Sequence, residues 1–203
     1  MHSTRTFHLI LALLLSLLFI AGSSPVQRII PPKQTPSSIE KRLHFLAQKA
    51  EGYLPQVPID SLQIPRTLSE QGRLHGTGSK EWTSGFYSGT LWQLYRFSHR
   101  KPLQQAARTW MAFQEKEKRD YRTHDLGFKI FCSYGEAFRT DSQRTDQAVI
   151  LEAAKTLSRR FNPVVGAIRS WDHSRDKWGY PVIIDNLMNL DLLFAATRFS
   201  GDS

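Results

Sequence analysis

Apolar side chains recur at three- and four-residue intervals in six segments of this chain, and this spacing constrains the fold more than any other feature. The first segment places Ile39, Leu43 and Leu46 on one helix face. It begins with Ser-Ser-Ile-Glu at residues 37–40, which has the spacing of a capping box. Only the short run 181–184 resembles a strand. We therefore expect an all-α fold with helices at 37–52, 88–99, 102–119, 126–139, 142–160 and 185–199.

Two long connections separate these segments. Residues 53–80 are rich in proline and glycine, which predicts a long loop, and residues 161–181 predict a second connection that contains tryptophan and glycine. Loops of this length inside a domain are usually functional. No exact sequence repeat at a fixed period is present, so the pattern does not indicate a solenoid.

The chain has one cysteine, Cys132, so it cannot form an intramolecular disulfide bond. A chain of 203 residues is long enough for one domain with a sizeable core. Its stability must therefore come from helix packing. Cys132 lies in an apolar stretch with no base beside it in any recognisable motif, so we interpret it as a small buried apolar residue.

The N-terminal residues have the layout of a signal peptide. Arg5 precedes an apolar run from Leu9 to Ile20, which small residues follow. The run is shorter than the roughly 20 residues of a bilayer-spanning helix, so we predict a cleaved signal at 1–23 and no stable membrane anchor after cleavage. A proline-rich linker at 24–36 then leads to a domain at 37–203. This organisation predicts a secreted or periplasmic protein.

The formal net charge is +9, and removal of Arg5 with the signal leaves +8. Such an excess of positive charge suits an anionic partner, and nucleic acid, an acidic membrane surface and uronate-rich polysaccharide all qualify. An exported protein meets polysaccharide far more often than nucleic acid, so we expect no nucleic-acid partner. A solvated basic surface without a specific partner is the alternative.

Three clusters carry side chains suited to chemistry at predicted helix starts or in adjoining loops. The segment 81–92 combines Trp82 and other aromatic residues with glycines, and aromatic faces stack on sugar rings. His124 and Asp125 form a potential proton-transfer pair just before a helix. In the third cluster, Asp185 and two asparagines interrupt an apolar run, and polar groups gathered in this way often line a site.

Each cluster also has a structural interpretation. Aromatic residues around a glycine turn are more often core residues than a sugar platform. Asp125 and Asp185 both precede predicted helices, where aspartate is a preferred N-cap residue, and His124 would then be an exposed neighbour.

Together, the three clusters resemble the unsaturated glucuronyl hydrolase family of glycoside hydrolases. The motifs His-Asp-Leu-Gly-Phe at 124–128 and Ile-Asp-Asn-Leu-Met-Asn-Leu at 184–190 carry most of the resemblance, which covers roughly residues 80–200. The resemblance implies the N-terminal half of an (α/α)6 toroid, with about three of its six helical hairpins. It implies Asp185 as general acid/base, Asp125 as the assisting carboxylate, and three residues at the sugar subsite: His124, Trp82 and Trp171. It implies neither a metal nor a cofactor.

The family's substrate is an oligosaccharide whose terminal uronate carries a C4=C5 double bond left by a polysaccharide lyase. An acid protonates C4, water adds at C5, and the resulting hemiketal opens and expels the rest of the saccharide. This chemistry differs from ordinary glycoside hydrolysis, in which two carboxyl groups flank the anomeric centre. One carboxyl group must therefore hold a proton at the working pH.

Three alternatives remain open at this point. They are a truncated carbohydrate-binding remnant without activity, a related hydrolase of unsaturated galacturonyl or rhamnogalacturonyl products, and a basic interaction protein. Family members are about twice as long, so the resemblance also implies a missing C-terminal half or a partner chain.

Overall fold

The computed structural model describes residues 37–202, and the predicted signal peptide and linker lie outside the described residues. Within this range the prediction of a mainly helical chain is confirmed, and the six predicted helical segments all contain a helix. Among residues 37–202, no helix has both the length and the apolar character needed to cross a membrane. The α-helices are α1 (Ser38–Tyr53), α2 (Phe86–Ser98), α3 (Lys101–Met111), α4 (Glu136–Asp141), α5 (Arg144–Ser158) and α6 (Asn186–Ser200).

Four irregular helices join or extend these elements within residues 37–202, and the first is a short 3-10 helix at Leu54–Gln56 that follows α1. A 3-10 helix at Trp82–Gly85 leads into α2, and another at Ala112–Arg119 continues α3, so the predicted helix 102–119 is α-helical only as far as Met111. A nine-residue π-helix at Gly127–Gly135 runs directly into α4. π-helical segments are rare and are often found at functional sites. The prediction of one regular helix at 126–139 was therefore wrong in its hydrogen-bonding pattern.

Helices adjacent in sequence pack against each other where the connection between them is short. Two residues connect α2 with α3, and two connect α4 with α5. The N-cap of α5 is Gln143, which makes no side-chain cap hydrogen bond. Asp141, at the end of α4, pairs with Arg108 of α3 at 2.6 Å. Six helices agree with the number expected for about three helical hairpins.

Two short β-hairpins lie in the connections that the sequence predicts as loops. Strand β1 (Ile64–Leu68) pairs antiparallel with β2 (Leu74–Thr77), and β3 (Phe161–Asn162) with β4 (Ala167–Ile168). The turn of the first hairpin contains Gly72 at φ 75°, a left-handed conformation that suits glycine. The interpretation of 53–80 as a structureless loop was thus wrong, because its glycine and proline mark a turn and an edge strand. The run 181–184, in contrast, is not a strand.

The core is built around α2, the π-helix and α5. Its largest fully buried apolar side chains are Ile64, Leu91, Trp92, Leu103, Leu126, Ile130, Ile150, Leu157 and Leu192. Cys132 lies in the π-helix, and burial raises the pKa of its thiol to about 11. A thiol with this pKa stays protonated at neutral pH, which agrees with the interpretation of Cys132 as an apolar residue.

Glycines in the segment 81–92 let this segment approach the π-helix closely. A Cβ atom at Gly85 would lie 2.3 Å from the carbonyl oxygen of Phe128, and one at Gly89 would lie 2.1 Å from that of Cys132. Any larger residue would force these two backbones apart. The glycines therefore have a packing role.

A buried lysine joins the π-helix to the 3-10 helix that follows α3. Lys129 is fully buried, and its Nζ lies 3.2 Å from Glu117 Oε2 and 3.1 Å from Asp120 Oδ2. Burial acts to raise the pKa of Asp120, but Arg122 and the charge of Lys129 outweigh this effect and lower the pKa to about 2. Ser79 donates a further hydrogen bond to Glu117 at 2.7 Å. These contacts hold the π-helix against the end of the 3-10 helix that follows α3.

We expect Lys129→Met to lower the free energy of unfolding by about 3–5 kcal/mol, because buried Glu117 would lose its counter-ion and Asp120 would keep only Arg122. Lys155→Met is the matched control, since Lys155 is exposed on α5 and its replacement should change stability by less than about 0.5 kcal/mol. Urea unfolding of both variants at neutral pH measures the difference. Equal effects of the two substitutions would contradict this role of Lys129.

Candidate active site

Three segments that are distant in sequence meet at His124. The histidine itself precedes the π-helix and is only 4% exposed. Its Nδ1 lies 2.6 Å from the carbonyl oxygen of Ser170, in the connection between α5 and α6. Its Nε2 lies 2.9 Å from Oδ1 of Asp185, at the start of α6. The structure thus brings together two of the predicted site residues that are 61 positions apart.

These contacts define where the protons of the pair lie. A carbonyl oxygen only accepts hydrogen bonds, so Nδ1 of His124 must carry a hydrogen directed at Ser170. Nε2 of the neutral ring is then an acceptor, and it faces a carboxyl oxygen at hydrogen-bond distance. The contact is favourable only with one proton between the two atoms, held either as protonated Asp185 or as the imidazolium of His124. A hydrogen bond between these two atoms therefore requires one proton, on Oδ1 or on Nε2.

Asp125 lies on the same side of His124. Its Oδ1 is 3.4 Å from His124 Nε2, and its Oδ2 accepts a hydrogen bond of 2.5 Å from the hydroxyl of Thr123. The Thr123 hydroxyl in turn accepts the backbone N–H of Asp125 at 3.1 Å, which fixes the direction of its own hydrogen. The side chains of Asp125 and Asp185 are 20% and 34% exposed. Both carboxyl groups thus reach solvent, while the histidine lies behind them.

Neither aspartate acts as a helix cap. Asp185 occupies the N-cap position of α6 but makes no side-chain cap hydrogen bond, and its Oδ1 contacts His124 instead. The described hydrogen bonds of the Asp125 carboxyl group include none to the backbone of the π-helix. His124 is buried, so the interpretation of this pair as a cap with an exposed neighbour was wrong.

The asparagines of α6 hold the start of that helix in place instead of lining the site. Asn186 Nδ2 donates to the carbonyl oxygen of Ile168 at 2.7 Å, and Asn186 Oδ1 lies 3.3 Å from the Ser170 hydroxyl. That hydroxyl accepts the backbone N–H of Ile183 at 3.0 Å. Asn186 is 8% exposed and Asn189 only 1%. The expectation that these amides line the site is therefore replaced by a positioning role.

Asn189 ties α6 to the beginning of the π-helix. Its Oδ1 accepts the backbone N–H of Phe128 at 3.0 Å, and its Nδ2 donates to the Asp185 carbonyl oxygen at 3.2 Å. A Cβ atom at Gly127 would lie 2.6 Å from Cα of Asn189, so only glycine fits at this approach. The contact places Asp185 one helical turn before Asn189, beside His124.

The two tryptophans that are predicted to contact sugar lie in different segments. Trp82 begins the 3-10 helix before α2, and Trp171 lies in the connection between α5 and α6. Trp82 is 45% exposed and packs against Phe86 and Phe128 with ring centroids 5.8 and 5.6 Å apart. Trp171 follows Ser170 and stacks on His173 at 5.4 Å with an interplanar angle of 8°. The Nε1 of Trp171 is buried and has no acceptor among the described residues. Their roles at a sugar subsite stay predictions.

Two residues of the cluster escaped the sequence analysis. Thr123 stands next to the His-Asp pair, and a hydroxyl beside a carboxylate was a usable signal. Ser170 contributes its backbone carbonyl, for which a sequence has no signature.

Within residues 37–202, the ligand atoms of His124, Asp125 and Asp185 lie within 4.8 Å of one another, and their nitrogen and oxygen donors are of the types that divalent transition metals bind. A shared proton already accounts for the contact between His124 and Asp185.

Comparison with known proteins finds relatives that are named unsaturated glucuronyl hydrolase or unsaturated chondroitin disaccharide hydrolase. No protein-family model matches the chain. The chain is 43% identical over 169 residues to an unsaturated glucuronyl hydrolase from Formosa agariphila, a match that covers 82% of this chain and 40% of that protein. It is 31% identical over 125 residues to an unsaturated chondroitin disaccharide hydrolase from Streptococcus pneumoniae, covering 60% of this chain and 32% of that protein. The chain thus spans about two-fifths or less of the length of these relatives.

Solved structures show the same relationship. The chain matches the crystal structure of an unsaturated glucuronyl hydrolase specific for heparin with a TM-score of 0.73 and 35% identity, over 80% of this chain and 43% of that one. It matches an unsaturated glucuronyl hydrolase from Streptococcus agalactiae with a TM-score of 0.67 and 26% identity, over 80% and 42% of the two chains. The helical fold of the described residues is therefore the fold of these hydrolases over the matched part, as the resemblance implies.

We expect Gly127→Ala to lower the free energy of unfolding by about 1–3 kcal/mol, because the new methyl group must push the backbone of Asn189 away. Gly179→Ala is the matched control, since a Cβ atom there has nothing within 4 Å. Urea unfolding measures stability, and the resonance of the His124 Nδ1–H reports whether the site stays closed. Unchanged stability and an unchanged resonance in Gly127→Ala would contradict the positioning role.

Proposed function

We propose that this chain, which belongs with the unsaturated glucuronyl hydrolases in sequence and fold, holds the acid/base centre for hydration of an unsaturated uronate. The substrate is an oligosaccharide that ends in a uronate with a C4=C5 double bond, and the products are the hydrated uronate, released as a 5-keto acid, and the shortened saccharide. The observation that carries the proposal is the 2.9 Å contact between His124 Nε2 and Asp185 Oδ1 beside the carboxyl group of Asp125.

The reaction needs one proton at carbon and one molecule of water. Asp185 delivers its proton to C4, and the double bond becomes an oxocarbenium ion at C5. Asp185, now a carboxylate, accepts a proton from the water that adds to C5. The hemiketal then opens, the glycosidic bond breaks, and the remaining saccharide leaves. Water is the sole co-reactant, so these steps balance without a cofactor.

His124 prepares Asp185 for both steps. Because Ser170 holds the hydrogen of Nδ1, the Nε2 of His124 always faces Asp185 with its lone pair or with a shared proton. The pair can therefore give a proton to carbon and take one from water without moving either ring or carboxyl group. General acid–base catalysis of this kind typically contributes about 10²–10⁴-fold to a rate.

The spacing of the two carboxyl groups fits addition to a double bond better than inverting glycoside hydrolysis. Inverting enzymes keep their carboxyl groups about 6.5–9.5 Å apart, with the sugar and a water between them. Here oxygen atoms of Asp125 and Asp185 lie within 4.8 Å of each other and on the same side of His124. Asp125 therefore acts beside Asp185, where its charge stabilises the positive charge that develops at C5.

Trp82 and Trp171 supply aromatic faces for the sugar rings in this proposal, and His124 supports from the interior the two carboxyl groups that face the terminal uronate. The basic charge of the chain favours such an acidic substrate. The predicted signal at 1–23 supports a secreted or periplasmic site of action, where lyase products of polysaccharides occur. A further chain segment or a partner chain completes the rest of the sugar pocket.

We expect Asp185→Asn to reduce turnover of an unsaturated disaccharide by at least about 10²-fold, because asparagine can neither give nor accept the proton. Loss of the ultraviolet absorbance of the double bond, on incubation with lyase-digested polysaccharide, measures turnover. Asp176→Asn, which removes an exposed charge from the same connection, should retain the wild-type rate.

The same assay separates the competing functions. Disaccharide binding by the wild-type protein without any loss of absorbance would contradict a hydrolase and support a carbohydrate-binding protein. Full activity of Asp185→Asn would contradict the acid/base role.

A further inference from the structure

A cavity with a volume of about 670 Å³ lies beside the connection between α5 and α6. Four arginines line it, together with a single acidic residue. The arginines are Arg159, Arg160, Arg169 and Arg175, and the acid is Asp172. The remaining lining residues are uncharged, so the wall of the cavity has a large excess of positive charge.

Asp172 cannot neutralise this wall, because three arginines share its carboxyl group. Its oxygens lie 2.9 Å from Arg160 Nη1, 3.4 Å from Arg169 Nη1 and 3.7 Å from Arg175 Nη2. Burial acts to raise the pKa of Asp172, but the hydrogen bonds and charges of Arg160 and Arg169 outweigh it and lower the pKa. The lowered pKa agrees with a site where positive charge dominates.

Two arginine donors in this wall have no acceptor among the described residues. Arg160 is anchored by Nε to the Arg169 carbonyl at 2.8 Å and by Nη1 to the Tyr121 carbonyl, and its side chain is only 5% exposed. Its Nη2 is buried and unpaired, and so is Nε of Arg169. Buried donors without partners cost free energy, so these two N–H groups beside the cavity call for an acceptor that the described residues do not supply.

We propose that this cavity is an oxyanion-binding site that takes a sulfate or carboxylate group. Guanidinium groups match the oxygen pairs of such anions in planar, charge-assisted hydrogen bonds. Arg160 is held rigidly by its backbone partners, and Tyr180 stacks under Arg169 with the guanidinium carbon 4.6 Å from the ring centroid. Two of the arginines are therefore oriented before any ligand arrives, which lowers the entropy lost on binding.

The cavity shares a short chain segment with the candidate active site. Arg169 and Asp172 line the cavity, whereas Ser170, between them, holds His124 through its carbonyl oxygen. An anion bound at the cavity restrains the same segment that orients the histidine. The anion is either a free ion or an acidic group of the oligosaccharide substrate, and the second source rests on the proposed function.

Calorimetric titration with sodium sulfate, at constant ionic strength in chloride, tests the site. We expect the wild-type protein to bind one sulfate, and the exposed-residue double variant Arg159→Gln/Arg175→Gln to bind it at least about tenfold more weakly. The matched control Arg144→Gln/Arg198→Gln removes two exposed arginines outside the cavity lining and should change the affinity less than about twofold. Absence of sulfate binding, or equal weakening in both double variants, overturns the proposal.

Unsaturated disaccharides with and without a sulfate group identify the source of the anion. They are titrated into Asp185→Asn, which prevents turnover. Tighter binding of the sulfated disaccharide, lost when the cavity substitutions are added, assigns the cavity to the substrate. Equal binding of both disaccharides, with sulfate still bound, assigns it to a free ion. The sulfate titration does not depend on turnover, so failure of the proposed hydrolase function leaves the test of the cavity intact.

Discussion

The close approach of α6 to the start of the π-helix is the constraint on which the site depends. Gly127 has no side chain, so the backbone of Asn189 can reach it, and the amide of Asn189 then accepts the N–H of Phe128. This contact fixes the first turn of α6. Because Asp185 lies in that turn, its carboxyl group meets His124, which directly precedes the π-helix. Packing between two backbones thus determines the distance between two reactive side chains.

The second constraint is the backbone carbonyl of Ser170. It commits Nδ1 of His124 to donation and leaves Nε2 to share a proton with Asp185. Asn186 and the Ser170 hydroxyl hold this segment against α6, so the acceptor stays in place. The buried hydrogen bonds of Asn186 and Ser170 therefore give the reactive pair its geometry. The carboxyl groups of Asp125 and Asp185 remain accessible to solvent.

Much of the helical architecture could be predicted from apolar spacing alone, because each helix buries one face. The hairpin Ile64–Thr77 could not, since its proline and glycine have the composition of a loop and its pairing is a tertiary property. The π-helix at Gly127–Gly135 has the same apolar spacing as a regular helix. The pairing of His124 with Asp185 spans 61 positions; the family resemblance assigned both residues to one site but did not indicate their contact, and no sequence signal indicates the carbonyl of Ser170.

Neutron diffraction from deuterated crystals near neutral pH tests the central claim most directly, because it locates hydrogen at the site. The account predicts a deuterium on Nδ1 of His124 directed at the Ser170 carbonyl. It also predicts one deuterium on the line between Nε2 and Oδ1 of Asp185. An Nδ1 without deuterium, or an Asp185 carboxyl group turned away from His124, would contradict the account.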